Sequence, residues 1–144
     1  ALAVSLEMPK EKQRGESDAD FSAAAHFTAQ FGRLMMQADG LPDVDVLKID
    51  VPSDATHQTP WRVTRLSRSQ YYVPVSPGRE HLTEPVRVDF EIRFDQDLLE
   101  PDSDVFAVRV AREVSVTPLS LDMTSRVDLE QLARRLGAPT RGHG

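Results

Sequence analysis

The chain has 144 residues, a net charge of −6 and no cysteine. Its length fits one domain, and its acidic balance argues against a general nucleic-acid binder or a protein held on an anionic membrane surface, because both need a basic face. Without cysteine the chain forms neither a disulfide framework nor a thiolate zinc site, which fits a reducing compartment, and we predict a cytoplasmic location.

The first sixty residues are predicted to form part of an α/β core. Residues 1–6 are an apolar run typical of an interior strand buried on both faces, and a chain that opens in such a strand predicts further residues upstream. A helix capped by Asp18 or Asp20 follows and ends at Gly40. Residues 47–51 alternate as a strand, so strand, helix and strand predict a parallel pair. The apolar stripe of the helix comprises Ala24, Phe27, Phe31, Leu34 and Ala38.

The middle of the chain predicts a projecting hairpin arm over residues 61–95. One strand begins at Trp61 and is broken at Pro74, Pro77 and Gly78. Residues 86–94 then alternate without fault between apolar and charged side chains, so one face is buried and the other is wet. The two strands are expected to pair as a long hairpin whose apolar face covers a second subunit.

Residues 96–120 are expected to return to the core as a helix and a strand. Residues 105–110 fit both helical and strand periodicity, and we predict a short helix there, capped by Asp102 or Ser103. Val114 and Val116 then predict a strand that Pro118 ends.

Residues 121–144 are predicted to be a tail used in oligomerisation. Ser125 followed three residues later by Asp128 is a variant of the capping box and predicts a helix. Gly137 ends this helix, and its narrow apolar stripe suggests docking on a neighbouring subunit. The stripe comprises Leu129, Leu132 and Leu136.

Acidic and basic clusters could carry chemistry, but simpler interpretations are favoured. The carboxylates of residues 95–104 invite a divalent cation, yet their spacing does not match an EF-hand, and a solvated loop running into a helix cap is the preferred interpretation. Arg62 and Arg65 point to opposite sides of a strand, so paired strand arginines are expected; the alternative is that one of them, or Arg68, reaches a phosphate. The acidic residues concerned are Asp95, Asp97, Glu100, Asp102 and Asp104, and a second group, Asp39, Asp43, Asp45 and Asp50, fails in the same way.

The histidines show no metal-ligand spacing, and His26 is predicted to be a packed or surface residue. No nucleophile elbow, Walker loop or dinucleotide fingerprint is present, so the residues alone indicate no catalytic constellation. The histidines are His26, His57, His81 and His143.

A series of segments, taken in order, resembles the survival protein SurE family of metal-dependent nucleotidases over nearly the whole chain. The segments are LAVSL at 2–6, DFSAA at 20–24, LKIDVP at 47–52, WRVTRL at 61–66, Tyr71-Tyr72, SDV at 103–105, VSVTPL at 114–119, and Asp122 with Thr124.

The resemblance implies a Rossmann-like α/β core with a mixed sheet, a projecting β-hairpin and a C-terminal helix exchanged between the subunits of a homodimer or tetramer. It also implies hydrolysis of nucleoside monophosphates with a bound divalent metal, Mg or Mn. The expected oligomerisation residues are Trp61, Tyr71, Tyr72, Leu129, Leu132 and Leu136.

The metal ligands of the family are two adjacent aspartates, a serine and an asparagine, and all precede the strand that residues 1–6 match. We therefore expect no catalytic residue and no metal ligand in this chain, and we leave its substrate-binding residues unassigned. The chain is predicted to be the downstream part of a SurE-like phosphatase. The alternatives are a non-catalytic assembly or binding module of the same fold and, less favoured, a domain that binds a peptide at its hairpin edge.

Overall fold

A computed structural model describes residues 1–8, 19–37, 41–76, 78, 81, 83, 85 and 89–137. Within these residues the chain forms strands and helices of an α/β protein, as predicted. The strands are β1 (Leu2–Leu6), β2 (Val46–Val51), β3 (Trp61–Val63), β4 (Tyr72–Val75), β5 (Asp89–Ile92) and β6 (Val114–Leu119). The α-helices are α1 (Ser22–Gln37), α2 (Asp104–Phe106), which continues as a π-helical turn (Ala107–Ala111), and α3 (Leu129–Arg135).

The core sheet is mixed and has the strand order β1-β2-β6-β3. β1 runs parallel to β2, which confirms the predicted crossover through α1. β6 is antiparallel to β2 and parallel to β3. Among the described strands, β1 and β3 therefore lie at the two ends of the sheet.

Alternation along the strands gives this sheet one apolar face, which α1 covers. Phe27 and Phe31 of α1 pack against Ile49 of β2 and Val116 of β6 in a single core cluster. Burying one such side chain contributes about 1.5–3 kcal/mol, so this layer holds helix and sheet together. The buried members of the cluster are Ala23, Ala24, Phe27, Phe31, Leu47, Ile49, Val51, Val114 and Val116.

The opposite face of the sheet is polar, and part of it is also buried. Ser115 and Thr117 of β6 are 0% and 1% exposed. The hydroxyl of Thr64 lies 2.8 Å from the Ser115 hydroxyl and 2.7 Å from that of Thr117. Since buried hydroxyls need partners, this cluster explains how a strand of alternating polarity is buried on both faces.

The predicted pairing with residues 86–94 is wrong for the beginning of the Trp61 strand and holds only from Tyr72. β3 instead pairs with β6, and the described hairpin is the shorter pair of β4 and β5. The chain stays with the core past β3 because the Arg65 backbone N–H donates to the Asp102 carbonyl at 3.0 Å. Pro74 does not break the hairpin: it lies within β4 opposite Phe90, where a two-stranded sheet tolerates a residue without an N–H. Residues 86–88 and Pro77 lie outside the described residues.

Two predictions of burial also need correction. β1 is not buried on both faces, because Ala3 and Ser5 are exposed at the end of the described sheet. Leu34 of α1 is 51% exposed, because the core face of the helix continues from Phe31 to Met35, which packs against the core cluster. Of the two candidate caps, Asp20 accepts a hydrogen bond from the Ser22 N–H at 2.8 Å, while Asp18, Ala38 and Gly40 lie outside the described residues.

The short helix predicted for residues 105–110 is confirmed, with Ser103 as its cap. The Ser103 hydroxyl accepts a hydrogen bond from the Phe106 N–H at 3.2 Å. The π-helical turn that follows ends at Arg112, whose φ of 56° is left-handed.

The tail helix starts later than the capping box predicts. Asp128 itself is the N-cap of α3, accepting from the Gln131 N–H at 3.0 Å, so the box beginning at Ser125 is wrong. Gly137 ends the helix as predicted, with a φ of 70° that glycine adopts without strain. None of the helices in the described ranges is long and apolar enough to cross a membrane.

Valine-to-alanine substitutions at two paired positions should show how much the buried side of the sheet contributes to stability compared with the exposed side. Val116 is 3% exposed, and Val63, opposite it on β3, is 65% exposed. Val116→Ala should lower the free energy of unfolding by about 2 kcal/mol, because it removes two buried methyl groups and leaves a cavity. Val63→Ala should change it by less than about 0.5 kcal/mol. Urea unfolding measures both, and equal losses would contradict the assigned core.

Candidate functional site: a pocket on the polar face of the sheet

A pocket of about 400 Å³ lies where the parallel strands β1 and β2 end. Residues 5–8 of β1 and its extension form one side, and Lys48 and Asp50 of β2 lie beside them. The lining is completed by Ser67, Ser69, Tyr71, Tyr72, Asp104, Val105, Val108 and Arg109. Open α/β sheets bind ligands at the carboxyl ends of their strands, and this volume is within the range of small-molecule sites. The pocket is therefore the candidate functional site.

The floor of the pocket is an ion-paired cluster on the polar face of β2. The Lys48 ammonium donates to Asp104 Oδ2 at 2.8 Å and also to Asp50. Ser5, the register partner of Asp50 on β1, donates its hydroxyl to Asp50 Oδ1 at 2.8 Å. Burial alone would lower the pKa of Lys48, but the hydrogen bonds to Asp104 and Asp50 raise it. Lys48 is therefore a fixed cation in the floor.

Asp104 links this floor to the chain that follows β3. Only 7% of the residue is exposed, and its Oδ1 accepts from the backbone N–H of Ser67 at 2.9 Å. The Ser67 hydroxyl donates to Glu100 at 2.9 Å. The start of α2 and residues 65–69 are thus joined by side chains that line or border the pocket.

Glu7 forms the side of the pocket beyond β1. It accepts hydrogen bonds from the Ser53 N–H at 3.0 Å and from Arg112 at 2.9 Å, and it also pairs with Arg109. Burial acts to raise the pKa of Glu7, but the Ser53 N–H and the two guanidinium groups outweigh it, so the pKa lies below its ordinary value. Glu7 is therefore a carboxylate that anchors both arginines.

Arg109, on the π-helical turn, connects Glu7 to the aromatic rim of the pocket. Its Nε donates to the Tyr71 hydroxyl, and its guanidinium carbon lies 5.3 Å from the centre of the Tyr71 ring. Burial raises the pKa of Tyr71, which keeps the phenol neutral as a hydrogen-bond acceptor. Tyr72 also lines the pocket and begins β4.

The acidic and basic residues singled out from the sequence are mostly paired. Asp95 caps a 3-10 helix (Gln96–Leu98), accepting from the Asp97 N–H. Arg65 pairs with Asp102 at 2.5 Å and Arg62 pairs with Glu113, which confirms the predicted strand-arginine pairs.

The histidines are less scattered than the sequence suggests. The rings of His26 and His57 stack with centroids 4.5 Å apart and an interplanar angle of 11°. His26 also packs edge-on against Phe27 at 5.2 Å, in agreement with a packed histidine. Within the described ranges no group of three or more histidine or carboxylate side chains is arranged to hold a metal ion.

Sequence reasoning did not predict Ser5, Glu7, Lys48, Asp50 or Arg109 as pocket residues. Lys48 and Asp50 look like solvent-facing positions of an alternating strand, and Ser5 falls in a run that predicts a strand buried on both faces. The signal available in the sequence was that adjacent parallel strands carry polar residues at corresponding positions near their carboxyl ends. The role of Arg109 depends on a π-helical turn that no periodicity predicts.

Comparison with known proteins finds relatives that share one name. No family model matches the chain. It is 42% identical over 137 residues to a protein of Thermococcus gammatolerans named 5'-nucleotidase SurE, covering 92% of this chain and 49% of that protein. A protein of the same name from Thermococcus kodakarensis is 37% identical over 142 residues, covering 96% of this chain and 53% of that protein. The chain thus spans about half the length of the curated relatives it matches.

A solved structure supports the fold. The SurE protein of Aquifex aeolicus superimposes with a TM-score of 0.59 at 20% sequence identity, and the match covers 94% of this chain and 51% of the other. At this identity the likeness shows the architecture of the chain and nothing about its chemistry.

Replacing Glu7 by glutamine should test the anchoring of the two arginines. Glu7→Gln is expected to lower the free energy of unfolding near neutral pH, because the amide keeps the shape of the side chain but loses its charge. The difference should be fully present above the ordinary pKa of 4.5. It should shrink as the pH falls through the lower pKa of the folded state, where wild-type Glu7 also becomes neutral.

Urea unfolding between pH 7 and pH 3 would measure this difference. Glu130→Gln on α3 is the matched control, since Glu130 is highly exposed and lies 3.6 Å from Arg134, and it should have little effect. A Glu7→Gln difference that does not change with pH would contradict the assignment.

Proposed function

The chain belongs to the SurE family, and from this premise we propose that it is the downstream part of a metal-dependent phosphatase that hydrolyses nucleoside monophosphates. The observation that carries the proposal is the match of more than nine-tenths of this chain to relatives named 5'-nucleotidase SurE. The pocket at the ends of β1 and β2 supports it, since it offers a preorganised polar floor in the place where such sheets bind ligands.

We propose that the metal of this reaction binds to residues other than those that the structure describes. Asp50 and Asp104 are the carboxylates nearest the base of the pocket, and both are already engaged by the Lys48 ammonium. Carboxylates paired in this way are poor ligands for a second cation, so the described residues do not fit a Mg or Mn site. We propose that the ligands come from the part of the family's length that this chain does not span.

In the proposed enzyme, this chain supplies the substrate-facing side of the active site. Lys48 and Arg109 place two fixed cations along the pocket, each oriented by carboxylates. Charges and dipoles fixed before the substrate binds need little reorganisation during reaction, which is the main electrostatic contribution of a protein to catalysis. We propose that these half-buried ion pairs hold Lys48 and Arg109 in position for the substrate.

We further propose that the whole protein is a homo-oligomer, a dimer or tetramer, assembled through its tail. Leu129 and Leu132 of α3 and its C-cap Leu136 are 59%, 41% and 75% exposed, so the described part of the chain leaves much of their stripe uncovered. Trp61 and Tyr72 are also partly exposed, but Trp61 packs on Phe31 and the two tyrosines line the pocket. The tail is thus the favoured contact between subunits.

A cytoplasmic location of the protein stays a prediction.

Hydrolysis of AMP by the whole protein that carries this chain tests the proposed activity. We expect turnover in the presence of Mn²⁺ or Mg²⁺, complete loss with excess EDTA and recovery when the metal is restored, because the metal polarises the phosphoryl group. Phosphate release is the measurement. A whole protein that releases no phosphate from AMP with either metal would overturn the proposal.

Assembly through the tail can be tested in the same protein. Replacing Leu129, Leu132 and Leu136 together by aspartate should lower the mass measured by light scattering, because charges cannot be buried in an apolar contact without a partner. Gln131→Asp is the control, since it adds one charge to the same helix outside the leucine stripe. An unchanged mass in the triple variant would exclude the tail as the contact.

A further inference from the structure

The rim of the pocket carries an exposed aromatic ring that the packing of the core does not use. Tyr72 lines the cavity, and 57% of the residue is exposed. Single exposed aromatic residues are common on proteins, so exposure alone assigns no role. The surroundings of the ring are more informative.

The plane of the Tyr72 ring is fixed by two edge-on contacts. Its centroid lies 4.7 Å from that of Tyr71 at an interplanar angle of 83°, and 5.0 Å from that of Phe90 at 88°. Tyr71 is itself anchored by Arg109, which is held by Glu7. A ring that is both exposed and fixed in this way is a preorganised surface, which reduces the entropy lost on binding a flat ligand.

The pocket lining divides into two kinds of surface. One kind is aromatic and apolar and includes Tyr72, Met8 and Val108, while Ser5, Lys48 and Asp50 form the polar floor. Arg109, which contacts Tyr71, lines the pocket as well. The floor holds two carboxylates against one ammonium, so it suits hydroxyl groups better than a phosphate. A ligand that matches both surfaces has a flat aromatic group joined to hydroxyl groups. The nucleoside part of a nucleoside monophosphate has this chemistry.

We propose that Tyr72 stacks on the base of the nucleotide, and so selects nucleoside monophosphates over phosphate monoesters that lack an aromatic ring. The inference rests on the proposed function and adds its specificity-determining residue. Stacking on an aromatic side chain is tolerant of base identity, because every base has a π-face. Tyr72 therefore discriminates nucleotides as a class, and Tyr71 acts as a positioning residue for it.

Steady-state kinetics of the whole protein with AMP and with glycerol 2-phosphate, which has no ring, separates this role from a general one. Tyr72→Ala should raise the KM for AMP about tenfold or more, with kcat and the kinetics of glycerol 2-phosphate unchanged. Tyr72→Phe should stay within about twofold of the wild type, because the ring remains. Phe21→Ala is the control: Phe21 is 54% exposed and does not line the pocket.

Calorimetric titration with adenosine keeps the inference distinct from the proposed activity. If the wild type hydrolyses no AMP, the proposed function fails, but weaker adenosine binding by Tyr72→Ala would still support stacking. The inference would be overturned if Tyr72→Ala left the KM for AMP unchanged or lowered activity equally with both substrates. It would also be overturned if the wild type did not bind adenosine, or if Tyr72→Ala did not change the affinity for adenosine. Light scattering of Tyr72→Ala should give the wild-type mass, and a lower mass would overturn it in favour of a subunit contact.

Discussion

The two-residue period of three neighbouring strands is the constraint on which the rest of the structure depends. Because β1, β2 and β6 keep one register, Leu47, Ile49 and Val116 share the face that α1 covers. Lys48, Asp50 and Ser115 share the opposite face. A slip of one residue in any strand would exchange the two faces. The same register that builds the core therefore also brings Ser5 beside Asp50 and Lys48 into the pocket.

The polar side chains on the other face of the sheet need hydrogen-bond and ion-pair partners, and the segment from Ser103 to Arg112 supplies them. Its first turn contributes Asp104 to Lys48, and its π-helical turn directs Arg109 towards Glu7 and Tyr71. Within the described residues, no buried side-chain nitrogen or oxygen lacks a hydrogen-bond partner. This completeness matters because an unpaired charge at low dielectric is costly, whereas a satisfied network fixes a single arrangement.

The sequence predicts the local elements well where one face is apolar and the partner is near in the chain. The parallel pair of β1 and β2, the caps at Asp20 and Ser103, and the glycine after α3 all depend on short-range patterns. The pairing of β3 was mispredicted because alternation does not specify a partner: Trp61 could precede a hairpin or join β6 equally well. The burial of Ser115 and Thr117 could not be predicted from β6 alone, since the hydroxyl of the distant Thr64 is what satisfies theirs. The pocket was missed for the same reason, as it depends on contacts between segments far apart in the chain.

Arg112 has a consequence for the order in which the molecule folds. Its guanidinium contacts Glu7, 105 residues away, and Asp54, 58 residues away, and it also donates to the carbonyl of Val108 at 3.0 Å. Closing such long loops costs entropy before the contacts repay it. These bonds should therefore form after the transition state, so that losing them accelerates unfolding and leaves the folding rate nearly unchanged. Arg112, the left-handed residue at the end of the π-helical turn, is thus expected to slow the unfolding of the domain without speeding its folding.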